Sequence, residues 1–364
     1  MEKKKDIEIS LLKGIGIIAV VVGHTSNIHI VPIIYYWHLP LFFFIIGLTY
    51  NHKKYEKNVS GLMGARLHGF FPMYFVYMIL LGLLHNVFYN MGILADGNVA
   101  YNLQGFLDAF WNYFRLYTEP FAGPLWFMFP WFFATLLYGV IVYGTSWMRI
   151  DYKKRQIFIV GATVVLAAFG FFCVSRGYLR YDYTDVALVI MPIVAVGGLY
   201  RLWHEQAQKF IVLPGCLVAF GIMLFVHLKY GLWTILDQRR YNHVAVFYLL
   251  AFCGIYCCLY VAKLLKKKPE AIWVTVLAKI GEYSMDIMTL HFVFFKLVDY
   301  IWFKCFNVDE QFALNTFPHS FKTEWSNIVY SIVGIIGPIL VRMTLDFGKK
   351  QVIKVYLRKE VKES

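Results

Sequence analysis

Two basic side chains, Lys13 and His24, stand eleven residues apart in the almost wholly apolar stretch LLKGIGIIAVVVGH. On a helix they would lie about 20° apart around the axis and about 16 Å apart along it, so they share a face. Burying either group in hydrocarbon without a partner is costly, and such a face suits a polar cavity. An imidazole placed there can take a proton from a hydroxyl at neutral pH. Spacing leaves the bland alternative equally open: Lys13 reaches the membrane surface and His24 closes a helix end.

Other polar groups interrupt the apolar runs. His38 precedes Pro40 in YYWHLPLFFF; proline lacks an N–H, which exposes carbonyls beside the ring. The ring is then either a hydrogen-bonded packing residue or part of a site. In SMDIMTLH, Ser284 and His291 are seven residues apart and therefore share a helix face, with Asp286 between them. Contact between helices would explain that cluster as well as chemistry does. In EPFAGPLWFMFPW, Glu119 falls at an outer interface and Gly123-Pro124 fixes Trp126 near a mouth, although tryptophan at an interface is ordinary. In GARLHGFFP, Arg66 and His68 stand on the opposite side. Arg66 is either a topology marker or a bidentate ligand for phosphate.

These residues need elements that work in lipid. Of 364 residues, 59% are hydrophobic and 16% charged, with mean hydropathy +0.57. Soluble domains run about 45–50% apolar and about 25% charged, which excludes a soluble globular chain. Ten spans are expected, at 9–28, 32–50, 70–90, 121–144, 157–175, 184–200, 210–228, 244–262, 279–302 and 325–346. The expected fold is thus an all-α polytopic membrane protein of about ten transmembrane helices. With the N-terminus inside, 24 lysines and arginines fall in inner segments and 8 in outer ones, which puts both termini in the cytoplasm. Only Lys13, Lys296 and Arg342 lie within spans.

The net charge of +13 then reads as topology and attraction to anionic headgroups of the bilayer, not as nucleic-acid binding. MEKKKD is followed by no small-residue cleavage site, so the first apolar run is expected to be a retained helix. The six cysteines lack metal-ligand spacing and imply no disulfide framework. No internal repeat stands out; residues 1–348 read as one transmembrane domain and 349–364 as a basic cytoplasmic tail. The outer segments 91–120 and 303–324 mix aromatic, amide and acidic groups. They suit either a carbohydrate-facing rim or an interfacial lid.

Taken together, KGIGIIAVVVGH, HLPLFFFIIGL, GPLWFM and IGEYSMDIMTLH resemble the acyltransferase-3 family of membrane acyltransferases, within it the fucose 4-O-acetyltransferase-like group. TDVALVIMPIVAVGGLYRL resembles the family's Pro-and-Gly helix more loosely, and the likeness covers roughly residues 8–345. There are departures. Lys13 stands where much of the wider family has arginine, and Ser10 stands where an acidic residue often precedes it. The cytoplasmic Arg-x-x-Arg appears as Arg66-Leu67-His68-Gly69, without its second arginine.

The resemblance implies transfer of an acetyl group from cytoplasmic acetyl-CoA, a co-substrate, to a sugar hydroxyl of a cell-surface or secreted glycan. His24 would be the catalytic histidine and Lys13 its partner. Arg66, His68 and Lys13 would hold the coenzyme, and His38, Glu119, Trp126, Ser284 and His291 would line the acceptor side. No metal is expected, a bacterial inner (cell) membrane is the expected location, and a homodimer is left open. The rival expectation is a polytopic transporter or flippase of a glycan or glycolipid precursor, which would favour an inverted repeat and a continuous polar path.

Overall fold

A computed structural model describes residues 6–25, 31–306, 313–321 and 323–363. The chain is helical throughout, and among the described residues the only β pairing is an isolated antiparallel bridge between Ile235 and Arg240. Helix α1 (Ile7–His24) starts at Asp6, whose carboxylate accepts from the Glu8 N–H. It is followed by α2 (Val31–Tyr35), α3 (His38–Thr49), α4 (His52–Tyr55) and α5 (Val59–Asn90). After α6 (Leu103–Phe114), a 3-10 segment (Pro120–Phe127) leads into α7 (Met128–Ser146) and α8 (Tyr152–Arg176). Then come α9 (Thr184–Val189), α10 (Met191–Leu202), α11 (His204–Phe210), α12 (Leu213–Tyr230) and α13 (Val244–Leu265). The chain closes with α14 (Ile272–Glu282), α15 (Ser284–Cys305) and α16 (Glu324–Glu363), the last running on through the segment expected as a tail.

Eight of these stretches are long and apolar enough to cross a membrane. The other two expected spans have a different construction. Residues 184–200 divide into α9 and α10 at Ile190, because Pro192 has no N–H to bond Leu188. Residues 279–302 divide at Tyr283, and α15 carries buried Asp286, Lys296 and Asp299. A broken or charged helix at membrane depth must be wrapped in protein, and α15 is.

The centre of the bundle is α1, α3 and α15. In the most apolar stretch of Val31–Thr49, 89% of residues are buried, against 11% for Leu213–Tyr230, which marks α12 as peripheral. Close crossings are made by glycine. A Cβ on Gly47 would lie 1.9 Å from the Val194 carbonyl oxygen of α10, and one on Gly197 would lie 2.0 Å from that of Phe44. Gly14, expected to admit a neighbour, faces the Leu277 carbonyl of α14 at 2.3 Å from its would-be Cβ. Lys13 and Ser284 line one cavity and, further along both helices, His24 meets His291, so α1 and α15 run in the same direction.

Segment 91–120, expected as a rim or an interfacial lid, is anchored to α5. Glu119 is buried and accepts from the hydroxyls of Tyr113 and Tyr101 and from His85 Nδ1 at 3.1 Å. The other nitrogen of His85 meets the Val99 carbonyl at 3.0 Å, and Tyr101 stacks on its ring at 3.5 Å. These contacts tie the segment to α5. Helix α6 leaves Leu103, Leu107, Phe110, Trp111 and Phe114 exposed, as a helix lying in a membrane interface would.

Candidate active site

His24 is the last residue of α1, and its ring lies against His291 with centroids 5.1 Å apart and planes 20° from parallel. His24 Nδ1 is 3.1 Å from His291 Nε2. The protons in this pair follow from the next partner. His291 Nδ1 is 2.8 Å from the Ile287 carbonyl, which can only accept, so Nδ1 carries the proton and Nε2 carries a lone pair. His24 must therefore donate from Nδ1, and its Nε2 keeps a lone pair. His291 is fully buried, whereas His24 reaches the wall of a cavity of about 430 Å³. The arrangement follows the logic of a base held in one tautomer by a second group.

His38 faces the same cavity and is set in the same way. The helix breaks between α2 and α3, and the Ile34 carbonyl, which takes the Trp37 N–H at 3.1 Å, also accepts from His38 Nδ1 at 2.9 Å. That leaves Nε2 for the cavity that His38 lines. Trp126 also lines the cavity and packs on Tyr183 at 4.6 Å.

A second cavity, about 270 Å³, is lined by Lys13, Arg66, Trp131 and Ser284 among others. The Arg66 guanidinium stands 5.6 Å over the Trp131 ring, and its buried Nε has no hydrogen-bond partner. Met288 lines both cavities, one turn after Ser284 and less than one turn before His291. The Lys13 and His24 chambers are thus neighbours separated by a thioether. A polar recess of about 400 Å³ adjoins the Lys13 chamber, shares Gly69 and Met285 with it, and contains Arg342 and Lys279.

Sequence-selected residues therefore divide. His24, His38 and Trp126 share one chamber, with His291 behind His24; Lys13, Arg66 and Ser284 share the other. His68 lines neither; it is exposed and bonded through Nδ1 to the Gly64 carbonyl at 2.8 Å. Glu119 lines neither either, being committed to His85, Tyr101 and Tyr113. Sequence reasoning passed over Tyr35, Trp233, Asp237, Gln238 and Phe317, which also face the His24 chamber. Trp233, Asp237 and Gln238 gave one signal, a Trp, an acid and an amide close together in one short loop, whereas Tyr35 lies in α2 and Phe317 in the outer segment 303–324.

The acyltransferase-3 family profile, described as an acyltransferase domain, matches residues 6–345. The chain belongs to this family. It is a multi-pass membrane acyltransferase, and the match spans both chambers. No curated protein and no solved structure matches the chain. In this acyltransferase, His291 is the side chain that holds the His24 ring by hydrogen bond and stacking. His291→Ala frees the His24 ring to turn and is expected to lower kcat on the order of 10²-fold while leaving KM for the acyl donor unchanged. Steady-state kinetics on both substrates would test this, and a donor KM that moves as much as kcat would contradict it.

Proposed function

We propose that this acyltransferase moves an acetyl group from cytoplasmic acetyl-CoA to a sugar hydroxyl of a surface or secreted glycan, with His24 as general base. The observation that carries the reading is the Ile287–His291–His24 chain, which leaves the His24 Nε2 lone pair on a cavity wall beside the Lys13 chamber. The resemblance to the fucose 4-O-acetyltransferase-like group and the family's usual home, a bacterial inner membrane, support the acceptor class. We read α15 and the α9–α10 pair as further crossing elements shielded by the eight apolar ones, giving about ten crossings with both termini inside. The charge asymmetry of the loops supports a Lys13 chamber on the cytoplasmic side.

His24 Nε2 takes the hydroxyl proton as the sugar oxygen bonds to the thioester carbonyl carbon. The C–S bond breaks, and His24 returns the proton to the departing sulfur, yielding the acetate ester and free coenzyme. As His24 gains its second proton, its Nδ1–H bond to His291 strengthens. An acetyl-histidine relay, in which the ring carries the acetyl group in two steps, is a variant of the same assignment. Lys13 and Arg66 fit the donor: both are cations on the neighbouring chamber, and Arg66 has an unused buried N–H to offer a phosphate or amide oxygen.

Transfer of labelled acetyl by the purified protein, with and without glycan, tests the reading. Lys13→Ala and Arg66→Ala are each expected to raise KM for acetyl-CoA by roughly 10–100-fold, the loss of a charge-assisted hydrogen bond, and to leave acceptor KM within about twofold. Unchanged acetyl-CoA dependence would remove both from the donor site.

A further inference from the structure

The His24 chamber is walled on one side by the short loop between α12 and α13. The Ile235–Arg240 bridge closes this loop into a turn. Arg239 fastens it from behind, donating to Asp185 at 2.9 and 3.2 Å and to the carbonyls of Asp237 and Arg180 at 2.8 Å each. Asn242 holds the other arm through the Trp233 carbonyl at 2.6 Å. The loop is therefore a rigid wall. It turns Trp233, Asp237 and Gln238 toward the chamber that also contains Trp126, His24 and His38.

The charge in this chamber is one-sided. Asp237 is the only acidic or basic chain, histidines aside, among the described residues that line it. The nearby guanidinium of Arg239 is spent on Asp185. Both lining histidines have Nδ1 engaged in a hydrogen bond within the protein. Burial pushes the Asp237 carboxyl above its ordinary value, opposed by its own and Gln238's backbone N–H and by the charge of Arg239 behind the loop. Two indole faces offer flat apolar surface for a sugar ring, and one carboxylate with one amide can receive and donate to adjacent hydroxyls. A carboxylate or phosphate on the sugar would face Asp237 across a partly dehydrated space that no cation among the described residues lines.

We propose that the loop from Trp233 to Gln238 is the acceptor-recognition element and selects an uncharged sugar, with Asp237 and Gln238 gripping hydroxyls and excluding uronates, sialates and sugar phosphates. The assignment rests on the acetyl-transfer reading for its role as an acceptor site, but its binding preference is separately measurable.

The test uses the full chain in lipid nanodiscs, titrated with methyl glycosides of neutral hexoses and with the matching methyl uronides, binding being read from Trp fluorescence. Neutral glycosides are expected to bind roughly tenfold tighter than their uronides. Asp237→Asn should shrink that gap to about twofold and Asp237→Lys should invert it, with thermal unfolding of both variants near that of the parent. Uronides binding as well as neutral sugars, binding of neither, or a gap untouched in Asp237→Asn would each overturn the proposal. Labelled acetyl transfer is assayed in parallel. Its absence with the binding gap intact counts against the proposed reaction and leaves the neutral-sugar site standing.

Discussion

His24→Gln is expected to cut sugar acetylation by about 10²–10⁴-fold, the usual contribution of a positioned base, in a protein that still inserts and folds. Glutamine keeps an N–H for His291 and fills most of the space of the ring, but it has no lone pair basic enough to take a hydroxyl proton. His24→Ala should lose as much activity and some stability too, because the imidazole packs on His291 and Phe292, with centroids at 5.1 and 5.0 Å. Comparing the two variants by steady-state kinetics and thermal unfolding separates chemistry from packing. A glutamine variant that retains activity within a few-fold of the parent would remove the base assignment. Mixing enzyme with labelled acetyl-CoA in the absence of acceptor then distinguishes the two chemical routes. Direct transfer leaves no protein-bound label, whereas a relay traps acetyl on His24 and the label disappears in His24→Gln.

Helical periodicity made part of this site readable in the chain itself. Lys13 and His24 share a face of α1, and their axial separation already required that they serve different ends of a reaction; they line neighbouring chambers. Ser284 and His291 also share a face, yet they divide between the two chambers' surroundings because two turns of helix carry them past Met288. What spacing could not supply was long-range partnership. His291 is separated from His24 by 267 residues, and their bond depends on α1 and α15 running in the same direction.

Short-range reading misplaced emphasis where a polar residue had a structural use. Glu119 has the composition of a sugar ligand, but segment 91–120 needs its carboxylate to hold His85, Tyr101 and Tyr113. His68 follows Arg66 by two residues and so points elsewhere on the helix, away from the Lys13 chamber. The loop carrying Asp237 looked like an ordinary outer connection, because its approach to the site depends on Arg239 reaching Asp185, a contact across 54 residues.

Asp299→Leu is expected to destabilise the protein by about 3–5 kcal/mol, the cost of leaving one member of a buried ion pair without its partner. Lys296 and Asp299 are both fully buried in α15, with Nζ 3.0 Å from Oδ2. Asp299 further accepts from the Ser320 N–H at 2.9 Å, from the Ser320 hydroxyl at 3.0 Å and from the Tyr330 hydroxyl. Lys296 has weaker support, the Leu314 carbonyl and the Ser320 hydroxyl. The two single losses should therefore be unequal. Lys296→Met leaves a carboxylate that keeps three donors, while Asp299→Leu leaves a buried ammonium with two neutral acceptors. The double variant should be more stable than Asp299→Leu alone, since removing both charges also removes the desolvation burden. Function should follow the same order, because this cluster ties the segment 313–321 to α15 and α16, and that segment supplies Phe317 and Pro318 to the wall of the His24 chamber. Acceptor KM is expected to rise most in Asp299→Leu, with acetyl-CoA KM little changed. Denaturant unfolding in detergent with paired kinetics would check both parts. Strictly additive losses in the double variant would show that the pair is not coupled, and an acetyl-CoA KM that rises with acceptor KM would show that its influence extends beyond that wall.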